Sequence, residues 1–502
     1  MQARLSGVSL LVMALLLAGC GSSTSPSEPV PDAGTVVDAG ATDDAGIPDD
    51  AGSPDSGVAE GAPCEKTQGV CAGAKRAMVD GAYEPVCTAR SYGAKYEETE
   101  QSCDGLDNDC DGVTDPATWA DVAPMAWAPY SSMVDSLPVK DGFLVVVSDR
   151  SNQIQILRLD SALSLVGTTV VPVVTGSEPA MSAQLVRTSR GPALFFAAES
   201  PTSNSSTQGR FLPLDEQGTP LMEPPGILLF EQPARFAPAR LDFSPDGSHG
   251  LVIWGSSSLA TGDAREVLGM IVGANGQVLA EPRSLLQAKQ ERYSLYGQRV
   301  LGLDDGGFVV LTTEGPGLVA DERLRLRRYD ADLSQLGEER TFAVGFGANP
   351  MLVLSPPTPG SPSGEPILLL RTADGTNPRF EQVRALFENG VPEPLTPTTP
   401  GQSAWLGATM TSRGLQVAWI SVRYAPVPGQ DTFFDYEGRF WGMSPSGTVT
   451  DWTPGPTPMP LHRHAQWVLM HELPGQWMGA LLMNATANPL TCTLRSVRYC
   501  AP

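Results

Sequence analysis

From residue 119 onward, apolar residues come in runs of four to seven bounded by Gly, Pro, Asn or Asp, and no stretch keeps a helical spacing. Seven runs read as buried strands: 143–147, 193–198, 251–254, 308–311, 367–370, 415–420 and 477–483. Each of the first six is followed by a second strand that ends in a polar turn, at Asp160, Asp215, Asn275, Asp330, Asn389 and Ser446. The turns recur every 55 to 60 residues, and Asn275-Gly276, Asn389-Gly390 and Ser446-Gly447 carry the residues that tight hairpins demand. An apolar segment precedes each buried run after the first (184–188, 239–243, 299–303, 351–354, 405–410, 467–470), and strand-like segments such as 168–173 and 339–344 follow the turns. Four strands per unit and seven units predict a mainly β chain ending in a seven-bladed β-propeller-like domain; a pair of two-sheet sandwiches is the competing reading. The seventh unit reaches only its third strand, 492–500, before the sequence ends. Residues 119–127 are the one spare strand and are expected to close that last unit.

The pattern upstream is different. Residues 62–118 are rich in cysteine and poor in aliphatic side chains, and they contain Cys103-Asp104-Gly105-Leu106-Asp107-Asn108-Asp109-Cys110-Asp111-Gly112-Val113-Thr114-Asp115. Numbering a loop from Asp107 puts Asp109 at position three, Asp111 at five, Gly112 at six, Val113 at seven and Asp115 at nine. Alternating carboxylates, a Gly for the sharp turn and a backbone carbonyl at seven make the first half of a calcium loop. Thr118 stands at position twelve, where a helix-loop-helix calcium site has a bidentate Glu; Asp104, or Glu100 just upstream, can supply that carboxylate instead. The expected ligands are thus Asp104, Asp107, Asp109, Asp111, Val113 and Asp115, holding a structural calcium ion. Five aspartates this close repel one another without a counter-ion.

Residues 21–61 are low-complexity, with Asp-Ala-Gly units at Asp32, Asp38, Asp44 and Asp50, nine acidic residues and no basic one. Such a segment cannot repay its ordering entropy and is read as a disordered tether of roughly 35 Å root-mean-square length. The N-terminus has a basic start, an apolar run from Val8 to Leu17 and then Ala18-Gly19-Cys20, the form of a secretory signal. After such a signal, cysteines pair as disulfides. Cys103 with Cys110 and Cys492 with Cys500 are the expected pairs, which leaves Cys64, Cys71 and Cys87 as an odd set. Zinc is disfavoured because the four histidines, His249, His462, His464 and His471, all lie far downstream.

Two resemblances extend this reading. Leu17-Ala18-Gly19-Cys20 resembles the bacterial lipobox, which implies acylation of Cys20, cleavage before it and a lipid anchor in the cell envelope; Gly21 in place of Asp implies the outer membrane by similarity to enterobacterial sorting. Segment 100–115, with its Cys-Asp-Gly-Leu-Asp-Asn-Asp-Cys-Asp-Gly core, resembles the metal-binding repeat of the MopE type found in secreted proteins of myxobacteria and related bacteria. The cysteine module upstream of that repeat usually has a fourth cysteine near Met78, which this chain lacks. The relatives that name the repeat are associated with copper, whereas hard oxygen ligands without histidine suit calcium.

The four segments are therefore 1–19 (lipoprotein signal peptide), 20–61 (lipidated Cys20 and acidic linker), 62–118 (cysteine-rich module with the calcium-type loop) and 119–502 (propeller-like domain). A formal net charge of -23 argues against nucleic acid and against an anionic membrane surface as partners. The sequence has no Gly-x-Ser-x-Gly elbow, phosphate loop, dinucleotide fingerprint or His-Glu-x-x-His. Alternation puts His462 and His464 on one face of an extended segment, a pairing more common as strand-edge polarity than as a metal site. Asp304-Asp305 before Gly306-Gly307 reads as a turn, and Arg323, Arg325, Arg327 and Arg328 as an outward basic cluster. The chain is read as a surface binding or scaffold protein with a protein, peptide or glycan ligand. The alternative is an extracellular, polysaccharide-directed hydrolase or lyase on the same scaffold.

Overall fold

In the computed structural model the strands from Thr118 onward form seven antiparallel sheets among the described residues. Described are residues 61–500 except 116, 127–132, 149–152, 173–181, 201–202, 234–238, 258–263, 291–292, 316–322, 344–350, 355–365, 375–376, 387–392, 395–398, 401, 426–432, 444–448, 453–465 and 486–490. Signal peptide, Cys20, linker, His462, His464 and the turns at Asn389 and Ser446 lie outside the described residues.

Each sheet but the last is a meander of consecutive strands, spanning 133–172, 182–232, 239–287, 294–343, 351–400 and 402–452 in turn. Six sheets have four strands; in the fifth, the last strand is broken into Glu393–Pro394 and Thr399–Pro400, both pairing with Asn377–Leu386. Proline lacks the ladder N–H and is tolerated at such an edge. The seventh sheet is Gln466–Glu472, Trp477–Ala485 and Thr491–Cys500, completed by Thr118–Ala126 from the other end of the domain. The closing strand expected from the sequence is therefore present, in register from Thr118 opposite Arg498 to Ala126 opposite Thr491.

Among the described residues the second strands are apolar on both faces, because the sheets pack against one another on both sides. Leu144, Val146, Ile154 and Ile156 of the first sheet meet Leu185, Leu194 and Phe196 of the second. Phe195 and Phe211 meet Leu241 and Val252 of the third, and Leu251 and Ile253 meet Phe308 and Val310 of the fourth. Trp477, Leu481 and Leu494 of the seventh sheet share a core with Phe143, Val145 and Leu157 of the first. The first strands are neighbours in the order Met133–Val139, Ser182–Thr188, Ala239–Phe243, Ser294–Gly302, Met351–Leu354, Gln402–Thr411 and Gln466–Glu472, and the last of these contacts Met133–Val139. This is a propeller-like arrangement. Met133–Val139 was not singled out from the sequence, because Asp135, Ser136 and Pro138 interrupt its apolar pattern.

The polar turns between third and fourth strands work through their side chains. The carboxylate of Asp160 accepts from the N–H of Ala162 and Ser164, that of Asp215 from Gln217 and Thr219, and that of Asp330 from Asp332 and Ser334. Asp and Asn are favoured there because their side chains satisfy backbone donors two and four residues ahead. Asp305 does the same for Gly307 in the turn read at 304–307.

Two expectations are corrected. The arginines of Arg323–Tyr329 do not form an outward cluster: Arg325 is buried, bonded to Glu339 at 2.7 Å and Glu314 at 3.2 Å. Arg327 and Lys289 also reach Glu339, at 2.6 and 2.7 Å. Burial works against the charge on Glu339, yet bonds from Arg325, Lys289 and Arg327 hold its carboxyl down at about 2. The cysteine pairing also differs. The disulfides are Cys64–Cys87, Cys71–Cys110 and Cys103–Cys500. Cys492 and Cys500 sit at opposite ends of one strand, roughly 26 Å apart at about 3.3 Å per residue, far beyond disulfide reach. Cys103 and Cys110 face different cores, Cys103 among the side chains of the first and seventh sheets and Cys110 among Cys64, Cys71, Cys87 and Tyr92.

Candidate metal centre

The Asp-rich loop is bent by backbone that few residues tolerate. Gly105 and Gly112 have φ of 78° and 94°, and Cys110 and Asp115 adopt positive φ as well, at 62° and 44°. That left-handed backbone is natural for Gly and costs other residues, so the Cys71–Cys110 bridge and the carboxylate bonds described next must hold it. The loop is locked to the module by Val70, whose N–H donates to the carbonyl of Asp107 at 3.0 Å. Gly69 makes this approach possible: a Cβ there would lie 2.1 Å from that same oxygen.

Within the loop, the Asp107 carboxylate accepts from the N–H of Asp111 (3.1 Å) and Gly112 (3.0 Å). Glu100 accepts from Asn108 N at 3.0 Å, and Asp115 accepts from Gly105 N at 2.9 Å. One oxygen from each of Glu100, Asp107 and Asp109 falls within 4.8 Å of the others. Asp104, Asp111 and Val113 are exposed; Asp104 caps Leu106 N and Asp111 caps Val113 N. Of the residues expected as ligands, the structure thus brings Asp107 and Asp109 together. It adds Glu100, the alternative carboxylate, and leaves Asp104, Asp111, Val113 and Asp115 outside the trio.

The chemistry of these atoms fits a hard cation. Glu100 Oε1, Asn108 Oδ1 and Asp115 Oδ1 are buried acceptors with no hydrogen-bond partner, and Asn108 is only 2% exposed. A buried acceptor without a donor is destabilising, and a cation relieves it. Burial raises the Glu100 carboxyl above the usual range, opposed by the Asn108 N–H and reinforced by Asp115 and Asp109. Asp115 is raised by burial and by Asp104, against the Gly105 N–H. The donors are all oxygen, since the module's cysteines are in disulfides. This set suits calcium better than a soft metal.

The loop abuts the seam of the seventh sheet. The carbonyl of Gln101, next to Glu100, accepts from the Trp477 indole at 2.5 Å and from Arg498 at 3.0 Å. Arg498 stacks over the Trp477 ring at 4.1 Å. Cys103 N donates to Gly475 O, Arg413 donates to Cys103 O at 3.0 Å, and the Cys103–Cys500 bridge closes the joint. Glu97 organises the approach, accepting from Gln101 N, Ser102 N and Ser102 Oγ. Glu97, Arg413, Trp477 and Arg498 carry no site signal in the sequence: Arg413, Trp477 and Arg498 lie more than 300 residues from their partners in the loop, and Glu97 stands outside the Asp-rich spacing.

Comparison with known proteins adds little to this. No family model and no curated protein matches the chain. Similar solved structures include a thermostable family-43 glycoside hydrolase (10% identity, TM-score 0.36, covering 55% of this chain and 98% of that one). An α-L-arabinofuranosidase from Lactobacillus brevis matches at 12% identity and TM-score 0.35, covering 66% and 96%. The sialidase of Trypanosoma rangeli matches at 12% and 0.37, covering 76% and 60%. Identities and scores this low transfer neither an activity nor a residue role.

Proposed function

We propose that this chain is a lipid-anchored cell-envelope binding protein built on a seven-bladed β-propeller, with a calcium ion bracing the joint between its tether and its ring. The observation that carries the metal is the grouping of the Glu100, Asp107 and Asp109 carboxylates within 4.8 Å of one another, in a loop that also holds the buried, unpartnered oxygens of Glu100, Asn108 and Asp115. Support for the ring comes from the cyclic order of the first strands, in which the seventh returns to the first. Calcium would be held by Glu100, Asp107 and Asp109, with Asn108 Oδ1 and Asp115 as further oxygens in reach of the loop. It would offset the burial and the neighbouring Asp115 and Asp109 charges that raise Glu100 and fix the backbone that leads to Gln101. The lipobox at Cys20 is the basis of the anchor, MopE-type resemblance that of the metal-binding module; the ligand is a protein, peptide or glycan.

The alternative of a hydrolase or lyase needs converging carboxylates. Asp135 and Asp242 lie on first strands of the first and third sheets, and burial, with Asp135 adding to it, raises the Asp242 carboxyl. Each, however, accepts two backbone N–H bonds: Asp135 from Leu185 and Ser136, Asp242 from Gly302 and Phe243. That pattern ties neighbouring sheets together and suits scaffolding better than acid-base work. Isothermal titration of the full chain should show one calcium site that is abolished by Asp107→Asn with Asp109→Asn. No heat of binding in the wild type would overturn the metal reading, and unchanged membrane partitioning of Cys20→Ser would overturn the anchor.

A further inference from the structure

The middle of the ring is lined by charge in an otherwise acidic, anion-repelling chain. On Ala239–Phe243 the burial alternates: Ala239, Leu241 and Phe243 enter the core with the second sheet, while Arg240 and Asp242 take the other face and are half-buried. Arg299 lies on the adjacent first strand, Ser294–Gly302. Asp135 acts on both Arg240 and Asp242 although the second sheet's first strand stands between theirs in the cyclic order, so these side chains reach toward the axis.

Their hydrogen bonding is unequal. Both oxygens of Asp135 and of Asp242 accept backbone N–H groups. Gln184 uses its carbonyl in the same way, accepting from Leu241 N at 3.1 Å. Arg240, by contrast, makes one hydrogen bond among the described residues, from Nη1 to its neighbour's carbonyl, Ala239 O, at 3.1 Å. Its other nitrogens are not among the buried unpartnered atoms, so they keep some exposure. Arg299 likewise donates from Nη1 to its neighbour's carbonyl, Gln298 O, at 3.0 Å, and is held by further interactions. Burial and its like-charged neighbour Arg240 lower Arg299 to about 10. A planar guanidinium with open donors beside a second one matches the paired oxygens of a carboxylate or phosphate.

We propose that the centre of the ring is a binding site for a compact oxyanion, the carboxylate or phosphate group of a small ligand, with Arg240 as its bidentate anchor and Arg299 as the supporting charge. The proposal names the ligand chemistry of the binding module above and rests on the ring being closed. Titration calorimetry of the full chain at pH 7 with inorganic phosphate, glutamate and galacturonate tests it. One of the three is expected to bind one per chain, and which one binds tightest tells phosphate from carboxylate ligands. Arg240→Gln should weaken that binding about tenfold or more and Arg240→Lys by less, since an ammonium keeps the charge but not the fork. Melting temperatures of both variants should match the wild type. Absence of binding by all three at millimolar concentration, or equal binding by Arg240→Gln, would overturn the site. Small-angle scattering on the same sample separates the two readings: a compact disc without binding removes the oxyanion site alone, whereas an open, extended profile removes the ring and the site with it.

Discussion

The cysteine module and the sheets solve the problem of stability by different means. Between sheets the contacts are aliphatic and aromatic, as with Phe195, Phe211, Leu241 and Val252, and burial at about 25 cal/mol per Å² accumulates over hundreds of residues. The buried cluster of the module is Cys64, Cys71, Cys87, Cys110 and Tyr92, so cystines stand where a larger domain has leucines. A segment this small cannot bury enough apolar surface to hold itself. Covalent bridges and, on our reading, a cation take over. The same contrast fits the crowding of carboxylates in the module's loop, where charge replaces greasy surface as the organising interaction.

Breaking each region should therefore show a different signature. Cys71→Ser with Cys110→Ser opens a bridge with a sequence separation of 39, for which loop-closure entropy gives about 4 kcal/mol. Calorimetry should show the module's transition lost or shifted while the main transition stays; an equal shift of both would erase the distinction. In the sheets, Glu339→Gln leaves Arg325 buried at 2% side-chain exposure with a weakened partner, and about 3 kcal/mol of destabilisation is expected.

The sign of the pH dependence follows from the depressed carboxyl. Folding holds Glu339 at about 2 against 4.5 when unperturbed. Its stabilisation is complete above pH 4.5 and is lost as pH falls toward 2, so wild type and Glu339→Gln should converge in melting temperature across that window. A gap that persists at pH 2 would mean the network acts through packing alone.

Smaller changes probe the joint between the regions. Trp477→Phe keeps the ring under Arg498 but removes the indole bond to Gln101 O, for a loss of about 1 kcal/mol. Hydrogen exchange should quicken at Ser102 and Cys103 with little change in the third sheet.

Sequence legibility divides along the same line. In the sheets the signal is periodic, and the second strands, the Asp turns and even the closing strand Thr118–Ala126 were readable because each repeats or completes a regular unit. Met133–Val139 escaped because Asp135 and Ser136 serve neighbouring sheets, Leu185 and His471 respectively, and so break the apolar pattern. In the module the residue types were readable but their pairing was not. Cys103 and Cys110 are close in sequence, yet the segment between them turns at Gly105 and Cys110 itself takes a positive φ. That turn sends one cysteine to each core. For the same reason the carboxylate trio draws on Glu100, outside the Asp-x-Asp-x-Asp spacing, while Asp111, inside it, faces solvent.

The central claim is that a cation in the loop stiffens the seam where Thr118–Ala126 completes the seventh sheet. Amide hydrogen exchange of the full chain with calcium and with chelator tests it most directly. Chelation should speed exchange in 97–115, in Thr118–Ala126 and in Thr491–Cys500, and leave Ala239–Phe243 and His249–Ser257 unchanged. Equal protection of the seam with and without calcium would contradict it.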